Sequence, residues 1–142
     1  MSQKELIQKR RSFIFCPGNK PDMIPKALNS GADMVCIDLE DAIIPEHKDI
    51  SRSSTIRAFE DISVPNGVET LIRINDVNTI DGKADIKAIL QSNNTASGLM
   101  LPKIQNVNEI IDLEKKIKLA NKNLNLHIII ETNKALENAW LI

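Results

Sequence analysis

The sequence predicts a parallel α/β fold of the barrel type, and three observations carry that reading. Short apolar, β-rich runs alternate with longer segments of helical period. The runs are almost continuously apolar instead of alternating apolar with polar, as strands covered on both faces are. Polar and charged residues then gather where the runs end.

The first strand is expected over Ser12–Cys16, and Met23–Asn29 follows as a helix with Gly31 just beyond it to take a left-handed turn. The second strand spans Met34–Ile37. The next helix, Ser51–Ile62, presents Ile56, Phe59 and Ile62 at helical spacing and stops before Pro65. A third strand, Thr70–Ile74, precedes a helix at Lys83–Gln91 with Ile86, Ile89 and Leu90 on one face. The fourth strand, Leu99–Leu101, leads to a helix at Asn106–Asn121 that opens with Asn106 and Glu109 in capping-box spacing. The fifth strand, Leu126–Ile130, is followed by a helix at Ala135–Ile142. Alternation of this kind requires crossover connections and a parallel sheet.

An open doubly wound sheet and a barrel both place ligands at the carboxyl ends of their strands. The first strand is followed by Cys16-Pro17-Gly18-Asn19-Lys20, not by a glycine-rich phosphate loop, which weighs against the open nucleotide-binding sheet. A complete (β/α)8 barrel takes about 250 residues. Residues 1–142 are therefore expected to be the amino-terminal portion of one barrel domain, five strand–helix units long.

Composition narrows the function classes. The chain is 42% hydrophobic and 26% charged, as globular domains are. A net charge of −1 gives no electrostatic footprint for nucleic acid, and 3% aromatic residues with no tyrosine offer few base-stacking platforms. No apolar run approaches the roughly 18 residues of a membrane helix. Lys9-Arg10-Arg11 before Ser12-Phe13-Ile14-Phe15 resembles a twin-arginine signal, but the apolar stretch is too short for one. Cys16 and Cys36 form neither a metal-ligand spacing nor a disulfide framework, so a cytoplasmic setting is expected.

The strand ends carry the chemistry. Strand two runs into Asp38-Leu39-Glu40-Asp41, strand three carries Arg73 and Asn75, strand four is followed by Lys103, and strand five by Glu131. Each has an ordinary structural explanation: Arg73 as an ion-pair partner of Asp38 or Glu40, Glu40 paired with Lys48, Lys103 reaching solvent, Glu131 at a helix start. Four consecutive strands ending in charge nevertheless describe a shared rim, where desolvation is costly unless the groups are paired or used. His47 and His127 have no partners at catalytic spacing, and His127 is expected at a strand start.

The segments RRSFIFCPGNKPDMIPKAL, GADMVCIDLEDAI with Lys48 and Arg52 after it, LIRIN, GLMLPKIQN and HIIIET resemble, in that order, the citrate lyase beta-subunit-like family within the HpcH/HpaI aldolase and malyl-CoA lyase superfamily. The resemblance spans Arg11 to Ala139. It implies a TIM barrel that makes or breaks a carbon–carbon bond, with Mg²⁺ as cofactor and a citryl-, malyl- or citramalyl-CoA type thioester as substrate. It implies Glu131 as a metal ligand, Arg73 as the active-site arginine, and Glu40 and Asp41 as the acidic pair around metal-bound water. Lys20 and Arg11 become candidates for coenzyme A phosphates. A homo-oligomer is implied, with other lyase subunits as further partners.

Departures from the family pattern are also visible. Gln105 stands where relatives carry Glu, Asn133-Lys134-Ala135 replaces a stretch that contains a glycine, and the family's second metal carboxylate lies beyond a sixth strand. The chain alone is therefore expected to bind Mg²⁺ weakly and to lack lyase turnover; the alternative is a non-catalytic acyl-CoA-binding or subunit-interaction remnant. An unclosed sheet also exposes strand edges and apolar faces. Sedimentation of the 142-residue chain at high concentration should show self-association, and a well-behaved monomer would argue against an open barrel.

Overall fold

The computed structural model describes residues 9–142 and contains five strands: β1 (Phe13–Pro17), β2 (Met34–Asp38), β3 (Glu69–Arg73), β4 (Gly98–Leu101) and β5 (Asn125–Ile128). They form one sheet in the order β1-β2-β3-β4-β5, and every pairing is parallel. Between them run α1 (Ile24–Leu28), α2 (Lys48–Asp61), α3 (Ile80–Gln91) and α4 (Val107–Leu119), with α5 (Asn133–Glu137) after β5. The architecture is a five-strand portion of a TIM-like barrel, as the strand–helix alternation predicts.

Side chains alternate across each strand, and the two faces have different neighbours. Val35, Ile37, Ile72, Leu99 and Leu101 join Ile24, Leu28, Phe59, Ile86, Ile89, Leu113 and Ile117 of the helices in the main core. Fully burying one such side chain is worth roughly 1.5–3 kcal/mol. On the other face Met34, Cys36 and Leu71 pack with Met100 in a smaller cluster. Two residues further along, Asp38 and Arg73 share this second face at the carboxyl end. On β1 the aromatic rings of Phe13 and Phe15 meet edge to face at 4.8 Å, and both remain exposed.

Helix starts follow the chemistry of their caps. Asn106 and Glu109 make the expected reciprocal capping box. Thr79 accepts from the Gly82 N–H, and Thr132 accepts from the Ala135 N–H. These two caps move α3 and α5 forward of the predicted starts, because periodicity sees only the apolar face. Gly31 is left-handed as expected (φ 86°), two residues past the cap at Asn29. Among the described residues, no helix is long and apolar enough to cross a membrane.

Gly82 fastens α3 to the loop after β3. A Cβ there would overlap the Asp76 carbonyl oxygen and approach the Asn75 oxygen to 2.8 Å. Alanine in a helix ordinarily gains about 1 kcal/mol over glycine. Here Gly82→Ala should instead cost about 1–3 kcal/mol by overpacking, read as a lower urea midpoint; a rise would show that the loop yields freely.

Candidate active site

The carboxyl rim is built around Arg73. It ends β3 in register with Asp38, which ends β2. Arg73 Nε donates to Asp38 Oδ1 at 2.8 Å and its NH2 donates to Oδ2 at 2.6 Å. The Asp38 oxygens also accept from the N–H groups of Glu40 (2.8 Å) and Ala42 (3.0 Å), so the same carboxylate shapes the loop carrying Glu40 and Asp41. Arg73 lies over the Phe15 ring, Cζ 4.8 Å from its centroid. Its third nitrogen, NH1, makes no hydrogen bond among the described residues and lies 3.4 Å from Glu40 and 3.6 Å from Asp41. Geometry therefore commits two guanidinium nitrogens to Asp38 and leaves the third facing the Glu40 and Asp41 carboxylates at the rim.

Burial would push the Asp38 carboxyl upward, but the Arg73 contact and the two backbone N–H groups outweigh it and hold it below the ordinary range. Arg73 is raised in turn, chiefly by its bond to Asp38. Burial, with the Asp38 charge, pushes the Cys36 thiol up to about 12, so it is no nucleophile.

Glu40 is buried, and neither of its oxygens has a hydrogen-bond partner in good alignment. Its compensation is ionic: Lys103 Nζ at 2.6 Å and Arg73 NH1 at 3.4 Å. The loop is fixed from behind by Lys48, which donates to the carbonyls of Leu39 (2.8 Å) and Glu40 (2.6 Å) and to Asn75 Oδ1 (2.7 Å). Asn75 is held by Asp85, which takes both its N–H (2.9 Å) and its side-chain amide (2.7 Å). Asp85 also accepts from Arg52 Nε at 2.7 Å.

Glu131 accepts from the Lys103 N–H at 2.9 Å, its other oxygen taking no hydrogen bond among the described residues. Lys20 is exposed after β1 at the same carboxyl rim. Asp38, Glu40, Asp41, Arg73, Lys103, Glu131 and Lys20 thus lie at one end of the sheet.

Arg11 does not, and its expected role in holding phosphate is corrected here. It precedes β1 at the amino end, where Nε and NH2 grip Asp33 at 3.0 and 2.9 Å. That bond holds the Asp33 carboxyl down to about 2. Lys48 reaches backbone carbonyls instead of the Glu40 carboxylate, and Lys103, half exposed, ends on Glu40. His127 lies inside β5, with Nε2 3.1 Å from Glu69, which Arg10 also clamps.

The donor set suits a hard cation. Both Glu40 oxygens and one Glu131 oxygen take no aligned hydrogen bond among the described residues, and Asp41 is exposed next to Glu40 in the chain. No three His, Cys, Asp or Glu side chains converge among the described residues. Mg²⁺ is commonly held by one or two carboxylates with waters and substrate oxygens, which matches this sparse set.

Fold and rim together define a partial TIM-like barrel whose charged residues gather at the carboxyl ends of its strands. Residues 11–142 match the HpcH/HpaI aldolase/citrate lyase family, and the chain belongs to it. The chain is 34% identical over 113 residues to the citrate lyase subunit beta of Leuconostoc mesenteroides subsp. cremoris, covering 80% of this chain and 36% of that protein. It is 29% identical over 135 residues to human mitochondrial citramalyl-CoA lyase, covering 91% and 39%. The structure superposes with a TM-score of 0.70 on Mycobacterium tuberculosis CitE in complex with magnesium, acetoacetate and coenzyme A, at 25% identity over 92% of this chain and 44% of that one. The chain thus spans less than half the length of these relatives.

The Asp38–Arg73 pair sets two expectations. Asp38→Asn leaves a mostly buried guanidinium short of charge and should cost about 3–5 kcal/mol in urea denaturation. Asp38 is depressed in the folded state, so its contribution is present above the unfolded value near 4 and is lost as pH falls through the lower folded value. Melting temperature should therefore drop below about pH 4, less steeply in Asp38→Asn; equal slopes would contradict the pair's role.

Proposed function

We propose that this chain carries part of the active site of a Mg²⁺-dependent carbon–carbon lyase of the retro-Claisen or retro-aldol type, acting on a β-hydroxyacyl thioester such as citryl-, malyl- or citramalyl-CoA. The observation behind this reading is the Arg73 guanidinium, fixed side-on by Asp38 with NH1 left over at the rim that carries Glu131. The names of the curated relatives and the magnesium and coenzyme A of the M. tuberculosis complex support it.

Glu131 would hold Mg²⁺ directly, with Glu40 and Asp41 ordering its waters. When bound, the metal supplies a Lewis acid that polarises substrate oxygen. Arg73 NH1 then directs its N–H groups at the oxygen that gains negative charge as the carbon–carbon bond breaks. The rigid clamp by Asp38 means that no reorganisation is needed at that moment, which is the condition for effective electrostatic stabilisation. Phe15 supplies an apolar floor against the guanidinium and keeps water from one side of it. Lys20 remains a candidate contact for coenzyme A phosphate. A cytoplasmic, oligomeric enzyme belongs to the same proposal.

Lysine cannot reproduce a side-on pair and a third directed nitrogen at once. Arg73→Lys should weaken Mg²⁺-dependent oxaloacetate binding at least about tenfold in calorimetry, and should lower any thioester cleavage by about 10²-fold or more. Oxaloacetate binding indifferent to Arg73→Lys would sink the site. Binding that heeds Arg73 but brings no cleavage of the three thioesters would favour the second reading, a non-catalytic acyl-CoA-binding chain, which the sparse carboxylate set also suits.

A further inference from the structure

Lys103 is one of two described non-glycine residues with positive φ, at 55°, the other being Asn121. A lysine gains nothing locally from the left-handed region, so the surroundings must hold it there. In this conformation its two polar ends serve two strands. The backbone N–H reaches Glu131 after β5, and the ammonium reaches Glu40 after β2. We propose that Lys103 is a tethered cation that competes with a divalent metal ion for the rim carboxylates and so sets how tightly Glu40 and Glu131 take it. This inference rests on the metal-assisted reading above.

Three observations carry it. Glu40 is buried without an aligned hydrogen bond, and Arg73, its other cation, is already committed to Asp38. The charge on Glu40 therefore depends on Lys103. The Lys103 side chain is itself half exposed, at 49%, so it can leave for water without the desolvation cost of a buried ammonium. Finally, among the described residues Asp38, Glu40 and Asp41 make ion pairs only with Arg73 and Lys103, and Glu131 accepts only the Lys103 N–H, so four carboxylates stand against two cations at contact range. A divalent ion answers that excess, and displacing the ammonium raises it further.

The test is Mn²⁺ titration of the full 142-residue chain, followed by electron paramagnetic resonance, for wild type, Lys103→Met, Lys103→Arg, Lys103→Gly and Glu131→Gln. Lys103→Met should bind Mn²⁺ about tenfold more tightly, the scale of one unit charge removed from contact range in a water-like dielectric. Lys103→Arg should stay near wild type. Lys103→Gly suits the left-handed backbone and loses the same ammonium, so it should tighten binding even if the Met variant folds poorly. Unchanged or weaker binding in the Met and Gly variants overturns the proposal. If Glu131→Gln weakens binding while the Lys103 variants do nothing, the competition alone fails. If binding ignores Glu131→Gln, the metal assignment fails. Absence of Mn²⁺ binding in wild type, Met and Gly variants overturns both.

Discussion

The rim depends on one ion pair across two adjacent parallel strands. Asp38 and Arg73 are register partners at the ends of β2 and β3, so their backbones are fixed to each other before their side chains meet. The carboxylate then accepts from four N–H groups, two on the guanidinium and two on its own following loop. One residue therefore orients the arginine and folds the turn that presents Glu40 and Asp41. Such a pair adds little net stability compared with apolar groups of similar volume, because desolvating both charges offsets most of their attraction. What it provides is geometry: a planar fork held in one orientation at the mouth of the sheet.

Behind the rim, a second polar layer prevents the loop from relaxing. Lys48 from α2 satisfies two consecutive loop carbonyls and the Asn75 side chain, and Asn75 is tied to Asp85 of α3. Arg52 joins Asp85 to Asp49 and Asp81. Buried polar groups are tolerable only when satisfied, and here each of these links closes another's need. The chain of contacts makes α2 and α3 parts of the site without bringing either helix to a ligand.

The fold was legible in the sequence because its strands are apolar runs and its helices have a clear period. Asp38, Glu40, Asp41, Arg73, Lys103 and Glu131 were legible because each ends or follows a strand, and strand ends define a common edge in a parallel sheet. Arg11 was misplaced for the complementary reason: it precedes β1, which puts it at the amino edge against Asp33. The supporting network left no local signal. Lys48 and Asn75 are 27 residues apart, Arg52 and Asp85 are 33, and Glu69 and His127 are 58. No spacing rule connects such residues until the register of the strands is known. The left-handed backbone at Lys103 was equally hidden, since the residue type that favours it is glycine or asparagine.

Charge balance limits what this rim can bind. Asp38 largely neutralises Arg73, so the guanidinium acts on a ligand as a set of directed N–H groups more than as a net positive charge. Glu40, Asp41 and Glu131 would then repel an anionic substrate, with Lys103 paired to Glu40 and Lys20 exposed at the same rim. Under the proposed reading, a carboxylate or thioester enolate would be favoured beside Arg73 when a further positive charge accompanied it. The same carboxylates that oppose the bare anion would welcome an anion carrying a divalent cation, because the cation satisfies protein and substrate oxygens together. Under the proposed reading, metal and substrate therefore bind as a unit. On that reading the acidic rim would select for metal-chelating anions and against anions that cannot chelate.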